Sequence, residues 1–285
     1  MASKPSLNVQ AAIDFGISNT DTIAQIDGAW RRWTQPYIGQ PDPHLVQTIL
    51  AAGGIDPSRL RQLAVTGGRH RLLPAQIGQC QVIGVGELQA IGRGGQAMAG
   101  VSEQDSTPLL VVSAGSGTAI IAARGNQYEH VTGTGVGGGT MLGLGRLLLH
   151  TIDPLEIDTL AQRGNPNGAD LRLADVVTGP IGSLPADATA VNFGRLARQD
   201  LNVSREDLAA ALVTLVGQVI GLLAINAARA QQIERIVVIG HMTDMPSLRR
   251  VLASVSQYYA APIDLPANGG YATALGALLS VAASE

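Results

Sequence analysis

Leu109-Leu110-Val111-Val112, followed by Ser113-Ala114-Gly115-Ser116-Gly117-Thr118, is an apolar run of strand length that ends in a loop of glycine and small hydroxyl residues. The same order occurs nearer the start, where Val9–Ile13 ends in Asp14-Phe15-Gly16-Ile17-Ser18-Asn19-Thr20-Asp21. In both places two more strand-like runs follow. Thr22–Ile26 and Ala29–Thr34 flank Asp27-Gly28, a pair that supplies the positive φ of a hairpin turn. Thr118–Ala123 and Tyr128–Thr132 flank Arg124-Gly125-Asn126. Helices and strands then alternate. The first half has a helix His44–Ala52 closed by Gly53-Gly54, strands Leu63–Val65 and Gln81–Val85, and a helix Glu87–Ala99. The second half has helices Thr140–His150, Pro154–Gly164, Ser204–Gln231, Met245–Tyr259 and Tyr271–Ala283, with strands Arg235–Ile239 and Pro262–Leu265. Ser204 with Asp207 fits a helix N-cap. The polar, turn-rich Gly100–Pro108 separates the halves. The expectation is an α/β protein of two related lobes, residues 1–106 and 107–285, facing one cleft.

Composition narrows the function. The chain has 285 residues, 46% of them hydrophobic, enough for a sizeable core. Only 14% are charged and the net charge is -3, so there is no basic stripe for a sequence-independent nucleic-acid partner; the longest local basic run is Arg69-His70-Arg71. Cys80 stands alone, which excludes a disulfide framework and a cysteine-only cluster within one chain. The five histidines are scattered without ligand spacing. Met1–Ser6 lacks the apolar core of a signal peptide, and no uninterrupted apolar run reaches membrane-span length. Leu208–Ala230, the most apolar stretch, holds Thr214, Gln218, Asn226 and Arg229, and is expected to be buried in one lobe or at a contact between two copies. A cytoplasmic protein without membrane partner is the expectation.

Three strand ends aim backbone N–H groups in the way that suits phosphate: Asp14–Asp21, Ser113–Ala119 and Thr132–Thr140. One such loop is more often a plain turn; three at equivalent points of a duplicated pattern point to a nucleotide. Gly133-Thr134-Gly135-Val136-Gly137-Gly138 also satisfies G-x-G-x-x-G. A dinucleotide fold would need an acidic residue ending a parallel strand about 20 residues on. Asp158 lies near that distance but inside the helical Pro154–Gly164, so a dehydrogenase is discounted.

The stretch Val131-Thr132-Gly133-Thr134-Gly135-Val136-Gly137-Gly138-Gly139-Thr140-Met141-Leu142-Gly143-Leu144 resembles the glycine-rich signature of type II (eukaryotic-like) pantothenate kinases. The resemblance runs through Thr66-Gly67-Gly68, Gly115-Ser116-Gly117-Thr118, Asp170-Leu171-Arg172-Leu173 with Asp175-Val176-Val177, Ala190-Val191-Asn192-Phe193-Gly194, Ile236–Gly240, and Gly270-Tyr271 with Ala274–Leu278. It implies two lobes of the actin-like ATPase (ribonuclease H-like) type, ATP-dependent phosphorylation of pantothenate with Mg²⁺, and a homodimer. Glu87 falls where that family places its catalytic glutamate; without the resemblance it reads as a first-turn glutamate complementing a helix dipole. Asp14 is positioned to hold Mg²⁺ directly or through water, or else caps a turn. Gly16, Ser18, Asn19 and Thr20, then Gly115, Ser116 and Gly117, then Thr134, Gly135, Gly137 and Gly138 are expected at the phosphates. Gly240, Met242 and Tyr271 are expected to border the adenosine, and Thr118, His130, Thr132 and Gly133 the substrate.

The chain departs from the family pattern at three points. Ile17 replaces a glycine of the first loop, and Asp21 stands where a lysine is expected, a charge reversal that repels phosphate. His130 replaces an arginine associated with the pantothenate carboxylate, trading a two-bond, permanently charged grip for one bond. Ala119 replaces a frequent serine. A kinase of a closely related small hydroxylated acceptor, a non-catalytic or regulatory nucleotide-binding homologue and a sugar or amino-sugar kinase therefore stand beside the pantothenate kinase. A dehydratase-activating ATPase, whose shared cluster needs cysteines, does not fit Cys80 alone.

Overall fold

The structure, a computed structural model, describes residues 9–36, 39–179, 181–198 and 202–282; the Met1–Ser6 start and Ala283 lie outside them. The chain opens with β1 (Val9–Phe15), β2 (Asn19–Ile26) and β3 (Ala29–Pro36), an antiparallel meander whose second turn is Asp27-Gly28 with φ 50° and 83°. α1 (Pro43–Ala52) starts with Asp42 accepting from the Leu45 amide and Pro43 in the first turn, where its missing N–H costs nothing. β4 (Gln62–Thr66), β5 (Gln76–Ile77) and β6 (Cys80–Gly84) lead to α2 (Glu87–Met98). β7 (Leu109–Ala114), β8 (Thr118–Arg124) and β9 (Gln127–Thr134) form the second meander, followed by α3 (Gly138–Leu148) and α4 (Pro154–Arg163). β10 (Leu171–Arg172), α5 (Leu173–Val176) and β11 (Thr189–Val191) precede α6 (Arg205–Gln231), β12 (Arg235–Ile239), α7 (Pro246–Tyr258), β13 (Ile263–Asp264) and α8 (Ala272–Ala282).

The duplication is visible in strand order. One sheet runs β3-β2-β1-β4-β6-β5, the other β9-β8-β7-β12-β13, so each has a meander joined through its first strand to parallel strands. β1 pairs antiparallel with β2 and parallel with β4, and β4 parallel with β6. Alternation along β1 feeds two layers. Ala11, Ile13 and Phe15 pack with Val46, Ile49 and Leu50 of α1, while Ala12 packs with Ala274, Ala277 and Leu278 of α8.

By contacts the chain forms two compact units, residues 1–111, 121–130 and 268–285, and residues 112–120 and 131–267. The sequence reading draws one boundary at 106/107. The final segment instead groups with the first unit, because α8 packs on α2, β1 and β4. That packing is backbone on backbone. A Cβ on Gly94 would overlap the Ala272 carbonyl, and one on Gly276 the Ala90 carbonyl. In the second unit α6 packs on α3, α4 and α7. Among the described residues α6 is the one helix long and apolar enough (mean hydropathy 2.4) to cross a membrane by length and composition; 67% of that window is buried inside the protein, as in a core helix, one of the two placements expected for Leu208–Ala230.

Gly276→Ala is expected to cost about 1–3 kcal/mol by overpacking. Gly143→Ala, whose added Cβ meets nothing within 4 Å on a solvent-facing turn of α3, should stabilise by up to about 1 kcal/mol. Urea unfolding of the two variants checks both signs.

Candidate active site

In the first unit the parallel order β1–β4–β6 brings three loops to one edge of the sheet, the edge at which open α/β sheets place ligands. Asp14 lies opposite Asp21 on β2 and beside Thr66 on β4. Gly67 has φ 92°, and a side chain there would collide with the Phe15 carbonyl and stand 2.7 Å from Asp14 Oδ1. Glycine thus lets the Thr66-Gly67-Gly68 turn close against Asp14. Gly16 allows the Asn19 carbonyl to approach in the same way. Of the expected phosphate donors here, Ser18 is exposed and Asn19 half-buried, but Thr20 is a strand residue only 2% exposed. Asp21 is 7% exposed and accepts a 2.6 Å hydrogen bond from Thr34, its partner across β2–β3. The Thr34 hydroxyl is also 3.1 Å from the Tyr271 hydroxyl. Tyr271, expected beside the adenosine, therefore belongs to the first unit and sits on β3, whereas Gly240 is in the second.

Glu87 is the first residue of α2, exposed, after Gly86. His70 holds this edge together: its Nδ1 donates to the Gly67 carbonyl (2.6 Å), and its ring lies so close to Gly84 that a Cβ there would stand 3.1 Å from Cδ2. His130 is exposed in the middle of β9.

In the second unit the two glycine loops are stitched together. The Gly115 carbonyl accepts from the Gly138 amide and the Ser116 carbonyl from Gly139, both at 2.8 Å. The Thr118 hydroxyl, 5% exposed, donates to the Val136 carbonyl at 2.8 Å. Thr134 Oγ accepts from the Val136 amide, and Thr140 donates to the Gly135 carbonyl. A Cβ on Gly137 would stand 2.8 Å from Gly117 Cα, so glycine is required for the loops to touch. Gly240, with φ 101°, presses on the Ala114 carbonyl, and Met242 lies against Gly138. The structure thus brings together Gly115, Ser116, Gly117, Thr118, Thr134, Gly135, Gly137, Gly138 and Gly240. Within it the Gly138 amide donates to the Gly115 carbonyl, and the hydroxyl of Thr118, expected at the substrate, fastens one loop to the other. Thr132 and Gly133 lead into the cradle along β9.

Sequence reasoning found no role for Asn192-Phe193-Gly194. Buried Asp170 accepts from the Phe193 amide (2.8 Å) and Thr189 (3.0 Å), Phe193 takes φ 55°, and β10 pairs with β11. Burial pushes the Asp170 carboxyl upward while these hydrogen bonds pull it down. The two segments that looked like separate motifs are one clasp. A nearby cavity of about 320 Å³, lined by Asn167, Thr214, Gln218 and Arg250 among others, contains none of the expected site residues. Burial pushes the Cys80 thiol up to about 11, so it is not a nucleophile near neutral pH.

The Fumble family model matches residues 91–280. A type II pantothenate kinase of Bacillus cereus is 31% identical over 223 residues, 77% of this chain and 81% of that protein. Another, of Oceanobacillus iheyensis, is 31% identical over 220 residues, 76% of this chain and 80% of that protein. The chain belongs to the Fumble family, that of the type II pantothenate kinases. This Fumble protein shares its fold, at identities that speak for fold alone, with two solved structures. One is Acidaminococcus fermentans (R)-2-hydroxyglutaryl-CoA dehydratase component A, with TM-score 0.60 and 15% identity, covering 97% of this chain and 99% of that chain. The other is a Streptomyces griseus ROK family glucokinase in complex with glucose and AMPPNP, with TM-score 0.58 and 14% identity, covering 96% and 99%. The actin-like ATPase class expected from the sequence is thereby borne out. The family match begins at Ile91, so Asp14 and Glu87 lie outside the matched residues.

Among the described residues no cluster of three or more His, Cys, Asp or Glu could hold a metal ion. Mg²⁺ is commonly held by one or two carboxylates together with phosphates and water, and half-buried Asp14 at the end of β1 could supply one such carboxylate. Gly137→Ala is expected to force the two loops of this Fumble protein apart and weaken ATP binding at least about tenfold, or 1.4 kcal/mol. Thr118→Val should weaken it less and Thr118→Ser least, since serine keeps the bond to Val136. Calorimetric titration with a non-hydrolysable ATP analogue orders the three.

Proposed function

We propose that this protein transfers the γ-phosphoryl group of ATP to the hydroxyl of pantothenate, the first step of coenzyme A biosynthesis. The observation that carries the reading is the 31% identity to type II pantothenate kinases across 77% of the chain, joined to a glycine cradle in which Gly137 and Gly240 leave no room for a side chain and Thr118 fastens one loop to the other. Phosphoryl transfer asks the protein for positioning, charge neutralisation and a base near the attacking oxygen. In this reading the loops 115–118 and 134–140 hold the nucleotide phosphates, and Ser18 and Asn19 add donors. Asp14 holds Mg²⁺, which would neutralise phosphate charge. Glu87 takes the proton from the pantothenate hydroxyl; its exposed carboxylate on a firmly anchored helix supports that role. Gly240 and Met242 border the base, and Thr132, Gly133 and His130 the acceptor.

The protein works in the cytoplasm and as a homodimer in this proposal. Leu147, Ile152 and Leu155, exposed at 72%, 51% and 75% around the turn from α3 to α4, offer an apolar surface for a second copy. α6, the contact considered from the sequence, is mostly occupied by its own unit.

Glu87→Gln is expected to lower kcat by at least about 100-fold, the usual worth of a positioned base, with ATP affinity unchanged. Pantothenate-dependent ADP release measures it. ATP binding without any such release from the unaltered protein would overturn the kinase reading and leave a nucleotide-binding homologue.

A further inference from the structure

The loop after β4 is Thr66-Gly67-Gly68-Arg69-His70-Arg71, and it lies in the middle of three. β1 and β6 flank β4 in parallel, so the loop that carries Asp14 lies on one side and the loop that leads to Glu87 on the other. Two strand spacings put those flanking loops about 10 Å apart. The contacts fix the middle loop against both. Gly67 presses on Phe15 and Asp14 Oδ1, while the His70 ring lies against Gly84, three residues before Glu87. The loop is also braced internally, since His70 Nδ1 donates to the Gly67 carbonyl within it.

Charge at this edge is one-sided without that loop. Gly16-Ile17-Ser18 carries none, and Asp14 and Glu87 are both carboxylates. Arg69 and Arg71 are the permanently charged cations these three loops supply, and both are exposed, with Arg71 in no ion pair among the described residues. An acceptor that carries its own carboxylate would meet two negative groups here and needs a cation to approach them. An arginine on a rigid loop grips a carboxylate with two parallel bonds. His130, which stands where the resemblance expects that grip, offers one.

We propose that Arg71, with Arg69, binds the carboxylate of the acceptor. The inference rests on the pantothenate kinase reading and adds to it the residues that select an anionic acceptor. They are positioned by His70 and take no part in bond making.

The test compares two acceptors with the same reacting hydroxyl: pantothenate, which ends in a carboxylate, and pantetheine, which does not. The R69Q/R71Q double variant is expected to raise KM for pantothenate about 10- to 100-fold, the range of a charged hydrogen-bonded pair. KM for pantetheine and for ATP should move less than about threefold, and R71K should fall between. Arg71 is exposed and in no ion pair among the described residues, so the melting temperature of R71Q should hold; it is measured for R71Q and for the double variant alongside. Equal losses on both acceptors, or none on pantothenate, would overturn the proposal. An unaltered protein that turns over neither acceptor fails the kinase reading instead. Calorimetry of both acceptors then still decides: loss of pantothenate binding alone in the double variant upholds the arginines, and any other pattern sinks them.

Discussion

Backbone meets backbone where α2 crosses α8, and the first unit is organised around that contact. Gly94 lies against the Ala272 carbonyl and Gly276 against the Ala90 carbonyl, so neither helix can retreat by the width of a methyl group without losing the other's packing. α8 is in turn seated on β1 and β4 through Ala274, Ala277 and Leu278, with Ala12 and Ala64 beneath. Position therefore passes from Asp14 on β1 through a layer of alanines to α2 and its first residue, Glu87. Gly94 is seven residues from Glu87, about 10 Å along the helix axis. A small shift at the crossing reaches the carboxylate as a shift of similar size, which matters for the role of base proposed for Glu87, since a base must stand within hydrogen-bond reach.

The second unit solves a different problem. Its glycine cradle consumes part of its own hydrogen-bonding capacity, Gly138 on Gly115, Gly139 on Ser116, Thr118 on Val136, to hold two loops in register. A loop left floppy would offer more donors but would have to be ordered by the ligand, at the cost of affinity. The cradle is instead ordered beforehand, and Thr118, which reads from the sequence as a ligand contact, serves that order. Asp158 tells the same story. It sits at the spacing of a dinucleotide-binding acid, yet it is buried and accepts from the Ser247 amide and Gln162, fastening α4 to the first turn of α7.

The alternation of strands, hairpins and helices was legible because each rests on local rules: Asp27-Gly28 for a turn, Asp42-Pro43 for a helix start, Ser204 for an N-cap that accepts from Asp207. The equivalent strand orders of the two sheets follow from that alternation. What could not be read were pairings between distant positions. Gly92, Gly94 and Gly95 counted only as composition, since the Tyr128, Ala272 and Val111 atoms that require them lie far along the chain. Asn192-Phe193-Gly194 had no meaning without Asp170, and Asp21 looked like an obstacle to phosphate without Thr34. Tyr271 was expected at the adenosine; that its hydroxyl meets Thr34 of β3 could not be read from the sequence.

Asp21 bears on how charge is arranged around a reacting phosphate. As a strand residue with its carboxylate bonded to Thr34, it is poorly placed to act on the loop at Gly16–Ser18, and a lysine at that position would have had to climb out of the sheet to do so. Parallel order offers another source. Loops after β1, β4 and β6 are neighbours in space though they lie far apart in the chain, so a positive group required at one edge can be carried by whichever loop reaches it. Arg69 and Arg71 sit on the middle loop, with Asp14 to one side and Glu87 beyond Gly84 on the other. Chemistry of this kind constrains where a charge stands and how firmly it is held. Position in the sequence enters only through the sheet, and for that reason a motif with a charge out of place is weak evidence that the site has lost its function.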